Sequence, residues 1–245
     1  MFFHFQSFIF SLIFALGLEL IALKQESFFY VLFFLIFLSF WANQKIYRKI
    51  SFAVIPILFS LSSMLMLYLI DQSVEKQVFI ALSFFMYYLT FLSACRIRRY
   101  KLDQTARGLL AASLMVTIFF FYTSVYGVYL NFAISLWFLM AVFLVATFLA
   151  SYQYLEIINL EKMSVWKYSV ILGLIMSEIS WVVNFWPFGY LTTGVILLIF
   201  YYIIWDIIQS YFLKLLSKKR VVANMVFFSL LIGIILLSSR WLPNV

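Results

Sequence analysis

Two acids, Glu178 and Asp206, lie inside long apolar runs of this sequence. A carboxyl group in such a place is a functional-site hypothesis by default, because it can move a proton, hold a cation or bond helices to one another. Glu178 belongs to the stretch MSEISWVVNFWPFGY, residues 176–190, with Trp181, Asn184 and Pro187. Asp206 shares a helical face with Thr192, Tyr202, Gln209 and Ser210 when residues are placed at about 100° each. Along the axis, at about 1.5 Å per residue, Glu178 falls near the midplane of its span and Asp206 near the basic end of the next, so the two do not form a carboxylate pair. The candidate intramembrane polar site is therefore Glu178, Trp181, Asn184, Tyr202 and Asp206. No lysine or arginine lies at the depth of Glu178, which leaves Ser60, Ser62, Ser63, Tyr87, Tyr88 and Thr117 as candidate hydrogen-bond partners from other spans.

A second set is basic. The run CRIRRYKLDQTAR, residues 95–107, carries Arg96, Arg98, Arg99, Lys101 and Arg107 around a single Asp103. Each such charge contributes about 1 kcal/mol of attraction to an anionic membrane surface, so these five are the candidate anionic-lipid contact. The DQTARG part is similar to the Asp and Ala-Arg elements of the CDP-alcohol phosphotransferases, but its spacing is one residue short and the downstream aspartates are absent, so that activity is not implied.

Other chemistries fail on inventory. One histidine, His4, and one cysteine, Cys95, exclude haem held by histidine pairs, zinc sites built from His and Cys, iron–sulfur clusters and an internal disulfide. There is no HExxH or GxGD element, no histidine placed beside a serine nucleophile, and no mid-span lysine for a retinal Schiff base. No catalytic residue, metal or cofactor is assigned, and His4 reads as an interfacial residue.

The elements that position these groups follow from composition. With 67% hydrophobic residues, 22% aromatic residues and a mean hydropathy of +1.09, the bilayer is the solvent of this chain. Apolar runs long enough to span it occur at about residues 5–23, 27–43, 50–70, 77–95, 107–124, 132–151, 166–186, 190–211 and 221–239. The prediction is an all-α bundle of about nine transmembrane helices forming a single polytopic domain over 1–245, with no soluble domain and no cleaved leader. Fourteen of the 17 Lys and Arg residues follow the even-numbered spans, which by the positive-inside rule sets the N-terminus in the cytoplasm and the C-terminus outside. That distribution also accounts for the net charge without a nucleic-acid partner. The uncharged segments TSVYGVYLN and NFWPFGY are expected to be outer loops, with Trp41 and Trp166 marking one boundary and Trp186 and Trp241 the other. Glycine and proline are scarce, at 7 and 3 residues, so long unbroken helices are expected rather than the interrupted spans of many transporters.

Within span seven, Ser169, Gly173, Ser177, Ser180 and Asn184 form a stripe of small and weakly polar residues that lets helix backbones approach closely. Glu178 lies on another face with Leu174, Trp181 and Phe185, which is expected to be a second protein contact. The arc of Leu172, Ile175, Met176, Ile179, Val182, Val183 and Trp186 is expected to meet lipid.

The segment E-x-x-W-x-x-x-x-W-P, from Glu178 to Pro187, with the aromatic span and basic loop after it, resembles an uncharacterised family of bacterial multi-pass membrane proteins over the last three spans. The resemblance implies a bacterial cell membrane and no activity. The leading expectation is a non-catalytic helix-packing or complex-forming membrane component, with membrane lipids, a membrane-protein partner or further copies of itself as partners. The alternatives are a small-molecule or lipid transporter using Glu178, and an enzyme acting on a lipid-linked substrate.

Overall fold

The computed structural model describes residues 2–47, 49–100, 103–132, 134–158 and 161–238, and places the side chains of all these except residues 2–4, 25 and 220. The side chain of His4, and the residues Lys101 and Trp241, lie outside what it describes.

Among the described residues the chain forms nine α-helices and no strand: α1 (Phe2–Leu23), α2 (Phe28–Ile46), α3 (Val54–Leu69), α4 (Ser73–Arg99), α5 (Gln104–Phe132), α6 (Leu136–Ile158), α7 (Lys162–Val183), α8 (Tyr190–Phe212) and α9 (Lys218–Ser238). Each is long and apolar enough to cross a membrane. Helices are the expected solution, because in hydrocarbon every backbone N–H and C=O must be satisfied within the segment. Proline does not disturb them. Pro56 is the third residue of α3, where its missing N–H would have had no intrahelical partner. At the end of α8, Lys214 adopts a left-handed conformation with φ 56°. The N–H of Leu215 then reaches back to the carbonyl of Ser210 at 2.9 Å, closing the helix in the manner usual for a left-handed cap.

Two boundaries differ from the sequence reading. TSVYGVYLN is not a loop but the last turns of α5, which runs 29 residues to Phe132. It contains no proline, and two of its polar side chains bond inside the helix: Ser124 Oγ donates to Phe121 O at 3.2 Å and Asn131 Nδ2 to Gly127 O at 2.8 Å. Conversely, α7 stops at Val183, short of the expected residue 186. Pro187 disfavours helical backbone at the residue before it. The chain instead turns through residues 184–186, with Phe185 N–H bonded to Val182 O at 3.3 Å and Trp186 N–H to Val183 O at 3.0 Å.

The chain divides into two compact units, Met1–Ser124 and Val125–Val245. In the first, α1 packs on α4 and α2, and α2 packs on α3. Its core is aromatic: the buried Phe14 and Tyr87 rings stack at 4.2 Å, with Phe59 and Phe91 around them. In the second unit α6 and α7 form the most extensive pair, α7 packs on α8, and α8 on α9.

Candidate functional site

The α6–α7 pair explains how α7 sets its side chains. The buried residues of α7 include Ser169, Gly173, Ser177 and Ser180, the small-residue stripe. At Gly173 a Cβ would come within 2.8 Å of the carbonyl oxygen of Leu144 on α6, so only glycine allows this approach. One turn on, Ser177 Oγ donates to the α6 carbonyl of Met140 at 3.0 Å. Because α6 comes so close along this line, residues on one flank of the stripe are covered too. Leu172, Met176 and Val183 are fully buried, which corrects the expectation that these three meet lipid, while Val182 of the same arc is exposed. Asn184 is not part of the packed stripe either. It caps the end of α7 through its backbone N–H and is half-buried.

Glu178 stands diametrically opposite that packed face. It is exposed, as are its helical neighbours Ile171, Leu174, Trp181 and Phe185. Its face is therefore not a second contact within the chain. With α7 ending at Val183, Glu178 sits about five residues, or about 8 Å, from that end of the helix. The Trp181 ring meets Phe185 edge to face at 5.6 Å. Four of the six residues expected to serve Glu178, namely Ser60, Ser62, Tyr87 and Thr117, have other partners. Ser39 Oγ lies 2.9 Å from both Ser60 Oγ and Tyr87 OH, joining α2, α3 and α4. Ser62 Oγ donates to Phe59 O at 3.1 Å and Thr117 Oγ1 to Ser113 O at 2.7 Å.

Asp206 is held differently. It is 7% exposed on α8, and Asn224 Nδ2 of α9 donates to its Oδ2 at 2.8 Å. The two residues stand about equally far, roughly 9 Å, from the facing ends of their helices, so the bond closes without a shift in register. Asp206 is thus a buried acid bonded to an amide. Around it are Trp205, 4% exposed, with its ring 5.1 Å from that of the buried Tyr154 of α6, and Tyr202, whose ring lies 5.0 Å from Phe228 of α9. On α6, Gln153 is also buried, and Ser151 Oγ lies 3.1 Å from Tyr201 OH of α8. The sequence reading found Asp206 and Tyr202 but missed Asn224, Gln153, Ser151 and Tyr201. Depth held a usable signal for Asn224, the amide in α9 at the level of Asp206.

Two members of the basic set, Arg96 and Arg98, make contacts within the chain. Arg96 Nε and Nη2 both reach Asp103 Oδ2 at 2.9 Å, while Asp103 Oδ1 accepts the Ala106 backbone N–H at 3.1 Å. Asp103 thus caps the start of α5. That backbone bond, followed by Arg96, holds its carboxyl below the usual carboxylate range. Arg98 Nη1 donates to the Ile46 carbonyl at 2.7 Å, a cation on the C-terminal end of α2, where the helix dipole favours it. Lys45 sits 4.4 Å above the Trp41 ring. Arg99 is exposed and Arg107 half-buried.

A family profile described as "Protein of unknown function (DUF5656)" matches residues 2–238, nearly the whole chain. The chain belongs to this family. No curated protein and no solved structure matches it. DUF5656 carries no activity in its description, so what this member can do is argued from its own residues: among those described, nine apolar helices, several of them joined by interhelical hydrogen bonds, and an acid, Glu178, that faces away from the packed side of α7.

Proposed function

We propose that this DUF5656 protein is a non-catalytic, complex-forming component of a cell membrane, working as a single polytopic domain. The observation that carries the reading is the use made of the polar groups within the spans. Ser39 with Ser60 and Tyr87, Ser151 with Tyr201, Ser177 with the Met140 carbonyl, and Asp206 with Asn224 all bond one helix to another. This is the pattern of a helix bundle held by interhelical hydrogen bonds. A transport role for Glu178 would set its carboxyl on an interior path, whereas the residue is exposed. In this reading the basic ends, including Lys45, Arg96, Arg98 and Arg99, lie on the cytoplasmic side. Arg99 and Arg107 then stand nearest the anionic headgroups.

The test is purification from native membranes in mild detergent, followed by mass spectrometry of bound proteins and lipids. The expected result is a stable assembly, either of several copies or with another membrane protein. Recovery of the isolated chain alone would overturn the reading.

A further inference from the structure

We propose that the exposed face of α7 is the contact through which two copies of this chain associate in the membrane, with the Glu178 carboxyls of the two copies bonded to each other. The inference rests on the complex-forming reading above and names its partner and its surface.

The face is built from Ile171, Leu174, Glu178, Trp181 and Phe185, all exposed. Their spacing of three and four residues aligns them in one seam along the helix, the arrangement that packs against a second helix. Any outward helix face has that spacing, so an apolar seam alone would be satisfied by lipid. Glu178 changes the requirement. About 8 Å inside the end of α7, it lies among large apolar side chains, and helical side chains lean toward the N-terminus, here away from the nearer end and deeper into the span. Hydrocarbon offers the carboxyl neither donor nor acceptor, and an unsatisfied polar group there is costly. Among the described residues, nothing is bonded to it.

A second copy supplies what is missing without any further component. When two copies are related by a two-fold axis along the membrane normal, their α7 helices run parallel, and each seam residue meets its own counterpart at the same depth. A carboxylic acid is both donor and acceptor, so Glu178 is complementary to itself in that geometry. Trp181, one turn away on the same seam, adds an indole donor and a large ring. A single polar residue in an otherwise apolar seam also fixes register, since sliding either helix would strand it.

Single cysteines test this directly, because Cys95 is the one native cysteine. In a Cys95→Ala background, Ile171→Cys, Leu174→Cys and Trp181→Cys are each oxidised in native membranes. Leu82→Cys on α4 and Phe33→Cys on α2, both exposed, serve as controls. Disulfide-linked dimers are expected at the α7 positions and not at the controls. Adding Glu178→Leu to Leu174→Cys is expected to lower the linked fraction roughly fivefold or more, whereas Glu178→Gln, still donor and acceptor, is expected to preserve it. The cross-linking pattern itself does not depend on altering Glu178, so it decides the matter even if Glu178→Leu fails to fold. Equal linking through the control positions, or a linked fraction indifferent to Glu178→Leu, overturns the proposal. So does a monomer. A monomer that copurifies with a different membrane protein overturns the second copy as occupant but leaves the complex-forming reading standing, and a monomer with no partner overturns both.

Discussion

Asp206 and Glu178 are two acids in adjacent helices with opposite surroundings. Asp206 is 7% exposed and takes a hydrogen bond from Asn224 on the neighbouring helix. Glu178 is exposed, with apolar residues before and after it on its face. Neither residue type nor distance from a helix end separates them, since each lies only a turn or two inside its span. What separates them is whether another helix of the chain brings a donor to the same depth. Asn224 does so for Asp206, and no described residue does so for Glu178. One acid therefore bonds two helices of the single chain together, and the other faces outward with no described residue bonded to it.

The largest expected effect breaks the packed face that turns Glu178 outward. Gly173→Leu would drive a side chain into the Leu144 carbonyl, already only 2.8 Å from where a Cβ would stand. It is expected to destabilise the protein by about 3 kcal/mol, read as a fall in thermal midpoint in detergent. If the midpoint does not move, α6 and α7 do not pack as closely as described and the orientation of Glu178 is open again.

Next comes the comparison of the acids themselves, again by thermal unfolding of the solubilised monomer. Asp206→Leu removes the acceptor for Asn224 and is expected to cost about 1–2 kcal/mol. Glu178→Leu is expected to stay within about 0.5 kcal/mol of the native protein, as exposed substitutions do. Equal losses from the two would show that Glu178 has a partner within the chain.

The smallest effect belongs to a third acid, Asp103, outside the helices. Its carboxyl is held below the usual range by the Ala106 N–H and by Arg96. A depressed pKa contributes stability that is fully present above the unfolded carboxylate value and is lost as the pH falls through the folded one. The protein is therefore expected to lose a small increment of stability on acidification below about pH 4, and Asp103→Asn is expected to remove that part of the pH dependence. An unchanged acid limb in Asp103→Asn would assign the loss to other carboxyls.

Much of the fold was legible in the residue order because it is local. Nine apolar runs of bilayer length imply helices by backbone hydrogen bonding alone, and the stripe of Ser169, Gly173, Ser177 and Ser180 marked a close helix contact before any neighbour was known. The helix ends were less legible. A charge-free aromatic segment such as TSVYGVYLN suits a loop at the membrane boundary and the end of a long helix equally well, and nothing within it terminates α5. Pro187 signalled the end of α7, but its effect begins several residues earlier, at Val183.

The sequence by itself determined the solvent of this protein, the number of its spans and which faces of α7 are chemically distinct, since composition and helical periodicity act within one segment. Which of those faces is covered was decided only by the tertiary structure. The Gly173 contact draws α6 onto the small-residue face of α7 and leaves Glu178 outward, and the matching depths of Asp206 and Asn224 on α8 and α9 turn that acid inward. Both outcomes depend on where a second helix lies, which the period of the first cannot encode.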